Sequence, residues 1–260
     1  VDVKLNSLGH RSRELTNPKP ANERRIHFVG SSILMAWGVP EEKGIVARVE
    51  RALNDKKSTE TGLKYVGINS GIGNFNTFTE VELFESQVDK TDPDLVVLQY
   101  YINDAEPNPS SRENPLFMKS VALALAYFRL KSALTTGNKT LEEYYENLYK
   151  DGHKNWENTK MAIRKLKKIS ERKGIPLVIF LVPEVHDFSA ESPYNKIYVL
   201  LEKTLGEMGI AFINPVAAMR SAFGPFPKNT AVADDDPHPN GAAHGVMAEV
   251  LSKYLLNLDF

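Results

Sequence analysis

The chain of 260 residues contains no cysteine, which excludes disulfides, thiolate zinc sites and a cysteine nucleophile together. It has no run of about 18 apolar residues, so no segment is expected to cross a bilayer as a helix. An excess of either charge is missing too. A formal net charge of -1 gives no electrostatic reason to expect a polyanionic partner, and no nucleic-acid partner is expected. The basic cluster from Arg164 to Lys173, with acidic residues on either side of it, reads as a solvated helix face. Internal repeats and low-complexity segments are absent as well. What remains is ordinary globular chemistry: 42% apolar and 25% charged residues suffice for a sizeable core. Composition leaves the compartment open. A start at Val1 is expected of a processed or trimmed chain, and a periplasmic or secreted setting is favoured over a cytoplasmic one.

Residues 1–22 are polar, carry Asn17-Pro18-Lys19-Pro20 near their end, and read as an extended N-terminal arm. From residue 23 the pattern alternates. Strands are expected at 25–30, 64–69, 94–100, 176–182 and 210–214, and the third and fourth are continuous apolar runs, as in strands covered on both faces. Helical periodicity occupies 41–55, 76–90, 155–173, 194–208 and 241–256, with Gly174 placed as a C-terminal cap. Alternating β and α elements predict a parallel sheet with right-handed crossovers, and therefore an α/β domain over 23–260. One connection is too long for that pattern. The stretch of about 105–154 reads as a helical insertion, with helical patterns at 115–134 and from residue 140, because a structureless loop of that length is uncommon.

A parallel sheet gathers the C-terminal ends of its strands along one edge, where ligands bind. Four segments fall there: Gly30-Ser31-Ser32, Asn69 to Thr77, Tyr101-Ile102-Asn103-Asp104, and Pro183-Glu184-Val185-His186-Asp187. The turn Asp235-Asp236-Pro237-His238 precedes the last helix. A serine nucleophile needs a base, and the base needs an orienting group on its other nitrogen. Ser32, His238 and Asp235 supply the three. Acyl transfer also needs donors aimed at an oxyanion. The Ser32 amide, an amide at Gly73 or Asn74, and the Asn103 side chain are the candidates.

These residues resemble the SGNH (GDSL-type) hydrolase superfamily, whose members carry a Gly-Asp-Ser block, a glycine turn, a Gly-x-Asn-Asp block and a late Asp-x-x-His block. The matching stretches here are Gly30-Ser31-Ser32, Asn69 to Asn74, Tyr101-Ile102-Asn103-Asp104 and Asp235 to His238. The resemblance implies a flavodoxin-like three-layer sandwich on a mostly parallel five-stranded sheet. It also implies Ser32 as nucleophile, His238 as base, Asp235 as its partner, and ester hydrolysis or acyl transfer without cofactor or metal. Acetylated carbohydrate is the substrate often met in the family. An O-acyltransferase with the same triad, and a non-catalytic carbohydrate-binding domain on the same fold, are the alternatives.

Three departures from the pattern stand out. Ser31 replaces the usual aspartate, so the nucleophile turn must be braced differently, and Ser31 itself is the second candidate nucleophile. Tyr101 stands where a glycine is usual and is expected to reshape the pocket floor. Gly73 and Asn74 compete as the oxyanion amide. Other residues admit plainer readings. Ser32 could be a helix N-cap, and Asp104 reads as structural. Glu184 and His186, with Tyr101, are expected to form a wall that contacts substrate. Asp234 to Asp236 with His238 and His244 lack the further ligands a metal site needs. The aromatics Tyr144, Tyr145, Tyr149 and Trp156 read as helix packing, with a sugar-stacking surface as the alternative. Because His238 must be neutral to accept a proton, activity is expected to fall in acid.

Overall fold

The computed structural model describes residues 1–107, 140–234 and 236–260. Five strands, β1 (Glu23–Val29), β2 (Lys64–Asn69), β3 (Leu95–Tyr100), β4 (Leu177–Leu181) and β5 (Ala211–Ile213), form one sheet in the order β2-β1-β3-β4-β5, with every pairing parallel. All six residues of β3 are buried, as expected of a strand covered on both faces. Helices α1 (Ile45–Thr61), α2 (Thr77–Thr91), α3 (Leu141–Leu148), α4 (Lys154–Lys173), α5 (Asn195–Glu207), α6 (Val216–Phe223) and α7 (Gly241–Leu256) complete the described elements. α1 packs on α7, α2 packs on α4, and the sheet lies between the two pairs. This is the three-layer sandwich expected from the alternating pattern.

Local chemistry sets the ends of these elements. Asn76 caps α2 by accepting from the Thr79 amide at 3.2 Å, while the Thr79 hydroxyl accepts from the Asn76 amide at 3.0 Å. Gly174 closes α4 at φ 67°, a left-handed geometry that glycine adopts without a Cβ penalty. Asn240 caps α7 through the amides of Ala242 and Ala243. The expected strands and helices lie within a few residues of those observed, except that α6 is not among those expected and the helix expected over 41–55 begins at Ile45, behind a 3-10 turn over Glu41–Lys43, and runs on to Thr61. The helical pattern at 115–134 lies outside the described residues, and α3 occupies the one from residue 140.

Two plain readings acquire detail. Two residues of the basic cluster pair with α2 at the solvent-exposed surface: Lys165 meets Glu82 and Glu85, and Lys173 meets Asp89 at 2.5 Å. Such exposed pairs contribute about 0–1 kcal/mol each. The aromatic group is packing: Tyr145, Tyr149 and Trp156 are buried, Tyr149 and Trp156 lie 5.1 Å apart between ring centroids, and Tyr144 alone of the four is exposed. The N-terminal arm holds no helix or strand, yet Asn6, His10 and Arg11 are buried against the domain. No helix among the described residues is long and apolar enough to cross a membrane.

Candidate active site

The strand order reverses direction at β1, with β2 on one side and β3 on the other, so a crevice opens between the carboxyl ends of β1 and β3. Gly30-Ser31-Ser32 leaves β1 into that crevice. No α-helix follows. Residues 32–38 form consecutive turns, in which Met35 donates to the Ser31 carbonyl at 3.0 Å and Trp37 to the Ser32 carbonyl at 3.1 Å. Ser32 is therefore not a helix N-cap. Ser31 is buried, and its amide donates to Gln99 Oε1 on β3 at 3.2 Å. Gln99 thus braces the turn that aspartate would be expected to brace. Gly30 is favoured there, since a Cβ on it would sit 2.9 Å from the Leu34 Cβ and 3.0 Å from the Gln99 Cβ, neither at the free end of its side chain.

The base arrives from the other end of the chain. Residues 230–232 and 238–240 pair through an isolated bridge between Ala231 and Pro239, with the Val232 amide donating to the His238 carbonyl and the Asn240 amide to the Thr230 carbonyl. That pairing fixes His238, whose Nε2 lies 2.7 Å from Ser32 Oγ. Its Nδ1 lies 2.5 Å from Asp236 Oδ1, and the same carboxylate oxygen accepts from the His238 amide at 2.8 Å. The carboxylate seen on the histidine is thus Asp236, where the Asp-x-x-His spacing pointed to Asp235. Asp235 lies outside the described residues. Asp236 can serve because one carboxylate, two residues upstream, spans both the amide and the ring of His238. Partial burial pushes the Asp236 carboxyl upward, but hydrogen bonds from the His238 amide and ring outweigh it and hold the pKa below the ordinary value. Exposed Trp37 stands beside the imidazole, ring centroids 6.5 Å apart.

The glycine turn lies directly against the nucleophile turn. The Ile72 amide donates to the Gly30 carbonyl, Asn69 Nδ2 donates to the Leu34 carbonyl at 3.0 Å, and Asn69 Oδ1 accepts from the Gly71 amide. At Gly71 a Cβ would fall 2.4 Å from the Met35 amide nitrogen, so only glycine permits this approach. Among the described residues, the amides of Ser32, Gly73 and Asn74 donate to no protein acceptor, which leaves all three oxyanion candidates available. Asn74 takes φ 63° and is exposed, while Gly73 is half-buried. Asn103 is half-buried on the 3-10 turn Ile102–Ala105 that follows β3, and its side-chain Oδ1 is buried without a protein partner among the described residues.

Tyr101 is buried, and burial, followed by the charge of Glu184, drives its phenol pKa well above the ordinary value. Glu184 accepts from His186 Nδ1 at 2.5 Å and from the amides of His186 and Asp187. His186 lies near enough to Asp236 to help hold that carboxylate ionised. His244 is fully buried on α7, its pKa lowered to about 4 mainly by burial, and neither ring nitrogen has a hydrogen-bond partner among the described residues. Among the described residues no three His, Asp or Glu side chains are grouped to hold a metal ion. A cavity of about 730 Å³ lies elsewhere, between α4 and α5, and contains none of the four strand-end segments.

No protein-family model matches the chain, and no curated protein matches it by sequence. Solved structures do. An acetylxylan esterase from Geobacillus stearothermophilus, solved as a catalytic mutant, superimposes with a TM-score of 0.58 at 16% identity, over 91% of this chain and 95% of the other. TesA gives 0.54 at 14% identity, over 90% of this chain and 99% of its own. A two-domain esterase active on acetylated mannans gives 0.54 at 16% identity, over 90% of this chain and 50% of that one. At these identities the likeness establishes the shared fold.

Proposed function

We propose that the chain is a serine ester hydrolase of the SGNH (GDSL-type) superfamily that removes a small acyl group, with acetylated carbohydrate as the substrate class. The observation that carries this reading is the linear relay from Ser32 Oγ through His238 Nε2 and Nδ1 to Asp236, with hydrogen-bond distances of 2.7 and 2.5 Å. Two of the structural neighbours are esterases of acetylated polysaccharides, which supports the substrate class. Nothing in the relay calls for a cofactor.

In the mechanism, Ser32 Oγ attacks the ester carbonyl carbon while its proton passes to His238 Nε2. The ionised Asp236 stabilises the imidazolium without itself taking the proton. Negative charge gathers on the former carbonyl oxygen and is met by the amide of Ser32, the amide of Gly73 or Asn74, and the Asn103 side chain. Collapse breaks the carbon–oxygen bond to the alcohol, which leaves with the proton from His238. Water then attacks the acyl-serine, gives its proton to His238, and the acid departs as Ser32 is reprotonated. Labelling with a fluorophosphonate, paired with hydrolysis of 4-nitrophenyl acetate, tests the reading. Wild-type protein is expected to label and turn over, and Ser32→Ala to do neither. A wild-type protein inert in both assays refutes the proposal, and labelling that survives Ser32→Ala moves the nucleophile to another residue, Ser31 first.

A further inference from the structure

Arg11 belongs to the N-terminal arm, far in sequence from every motif above, and its side chain is 2% exposed. The guanidinium donates from Nη1 to the carbonyls of Met35 at 2.6 Å and Ala36 at 2.9 Å, and from Nη2 to that of Val39 at 3.0 Å. Met35 and Ala36 lie within the turn run that begins at Ser32 and carries Trp37, and Val39 follows its end. Ala36 within it takes φ 60°, a left-handed conformation that is unfavourable for an L-residue carrying a Cβ. A strained backbone of this kind persists only when its surroundings hold it. The arm grips the neighbouring loop as well: the Arg11 amide donates to the Asn69 carbonyl at 3.0 Å, and Ser12 Oγ accepts from the Asn69 amide at 2.7 Å. Asn69 in turn holds the Leu34 carbonyl and the Gly71 amide. Arg11 and Ser12 therefore fasten the nucleophile turn and the glycine turn to one point.

We infer that Arg11 is a positioning residue for Ser32, its three-carbonyl grip setting the turn from which Ser32 Oγ meets His238 Nε2. The inference rests on Ser32 being the nucleophile. A buried guanidinium whose two Nη groups are held by three backbone carbonyls suits this task even though its Nε has no protein partner among the described residues, because the planar fork holds several acceptors at once, whereas a lysine offers one point charge. Loss of the grip lets the turn relax without removing any group that touches substrate, so the chemical step should suffer more than binding.

The test compares wild type, Arg11→Lys and Arg11→Ala in three measurements: the rate of fluorophosphonate labelling of Ser32 per folded molecule, kcat and KM for 4-nitrophenyl acetate, and amide hydrogen exchange over residues 33–39. Misplacing a reacting group by about 1 Å costs on the order of 100-fold. Labelling and kcat of Arg11→Ala are expected to fall between about tenfold and that figure, with KM little changed. Arg11→Lys should lie in between, and millimolar guanidinium should restore part of the rate to Arg11→Ala only. Exchange at residues 33–39 should quicken in Arg11→Ala. If Arg11→Ala unfolds, Arg11→Lys carries the comparison. Equal labelling rates in a reactive wild type and its variants, or a loss of melting temperature with rate per folded molecule and exchange at 33–39 unchanged, would overturn the assignment. A wild type that does not label at all overturns the proposed function itself and, with it, any part for Arg11 in the reaction, even where the exchange arm still shows the grip.

Discussion

Glu80 on α2 and Asp104, the residue after Asn103, are both about 1% exposed. Asp104 Oδ2 accepts from the Tyr101 amide at 2.5 Å, but Asp104 Oδ1 and both Glu80 oxygens have no protein partner among the described residues. Burial pushes the Asp104 carboxyl up to about 8, against the pull of the hydrogen bond from Tyr101, and drives Glu80 well above its ordinary range, with the Asp104 charge adding to it. Two carboxyls so placed cannot both ionise cheaply, so the folded pair holds protons that the unfolded chain, with carboxyl pKa values of about 4, has already released. In this window the folded state binds more protons than the unfolded one, and stability falls as pH rises from about 4 toward 8. Each retained proton contributes a slope of about 1.4 kcal/mol per pH unit. Glu80→Gln removes one titrating group and offers an amide donor in its place. Between pH 5 and 7 the variant should therefore gain on wild type as pH rises, by no more than about 1.4 kcal/mol per pH unit. Urea unfolding at pH 5, 6, 7 and 8, with the slope on denaturant checked for constancy, reads this directly. Stability curves for the two proteins that run parallel across that range would show that Glu80 carries no extra proton in the fold, and the argument from burial would fail.

Asp236→Asn should lower kcat/KM for 4-nitrophenyl acetate by about 10⁴-fold, since the amide imposes the wrong histidine tautomer, while Asp235→Asn should stay within about tenfold of wild type. The reverse order would return the orienting role to Asp235. Asn103→Ala should cost about 10²–10³ in kcat through the lost oxyanion donor, measured at saturating substrate with folding checked by circular dichroism. Gly71→Ala drives a Cβ to within 2.4 Å of the Met35 amide nitrogen, so the glycine turn and the nucleophile turn must part; fluorophosphonate labelling should collapse with a clear drop in melting temperature, and an active, stable variant would contradict the packing. Gln99→Leu strands the buried Ser31 amide at a cost of about 1–3 kcal/mol, read as the shift in unfolding free energy.

The sequence made the sheet legible because its strands announce themselves. Val96-Val97-Leu98 and Val178-Ile179-Phe180 are apolar on both faces, as only an inner parallel strand need be. Once the strands are placed, topology delivers Ser32, Asn103 and Glu184 to one edge without further information. His238 could be read for the same reason, as a turn before a strongly periodic last helix. The choice between Asp235 and Asp236 could not be read, because it depends on how the chain bends at Pro237 so that one carboxylate reaches both the amide and the ring of His238. The short helix Val216–Phe223 was missed for a similar reason: it follows a strand of three residues and leaves too few turns for periodicity to show.

Arg11, Gln99 and Glu80 escaped for a different and more general cause. Arg11 and Gln99 hold backbone atoms: carbonyls at Met35, Ala36 and Val39, and the amide of Ser31. Every residue carries a carbonyl and all but proline an amide, so such partners leave no trace in residue type or spacing. Glu80 is invisible for the opposite reason, as a carboxylate on a helix is read as solvent-facing by default and only the packing of α2 over the 102–105 turn reveals that it is buried. The presence of serine rather than aspartate at position 31 follows from the same geometry. A carboxylate there would face the Gln99 oxygen unless the amide turned over and gave up the Ser31 amide, whereas Ser31 supplies an amide and a hydroxyl to that oxygen, at 3.2 and 3.4 Å, and Gln99 Nε2 has no protein partner among the described residues. The identity of residue 31 and that of residue 99 are therefore coupled. Ser31→Asp alone should be worse tolerated than Ser31→Asp combined with Gln99→Lys, which puts a positive charge at position 99, and comparing the unfolding free energies of the two single variants and the double variant would expose that coupling as a non-additive term.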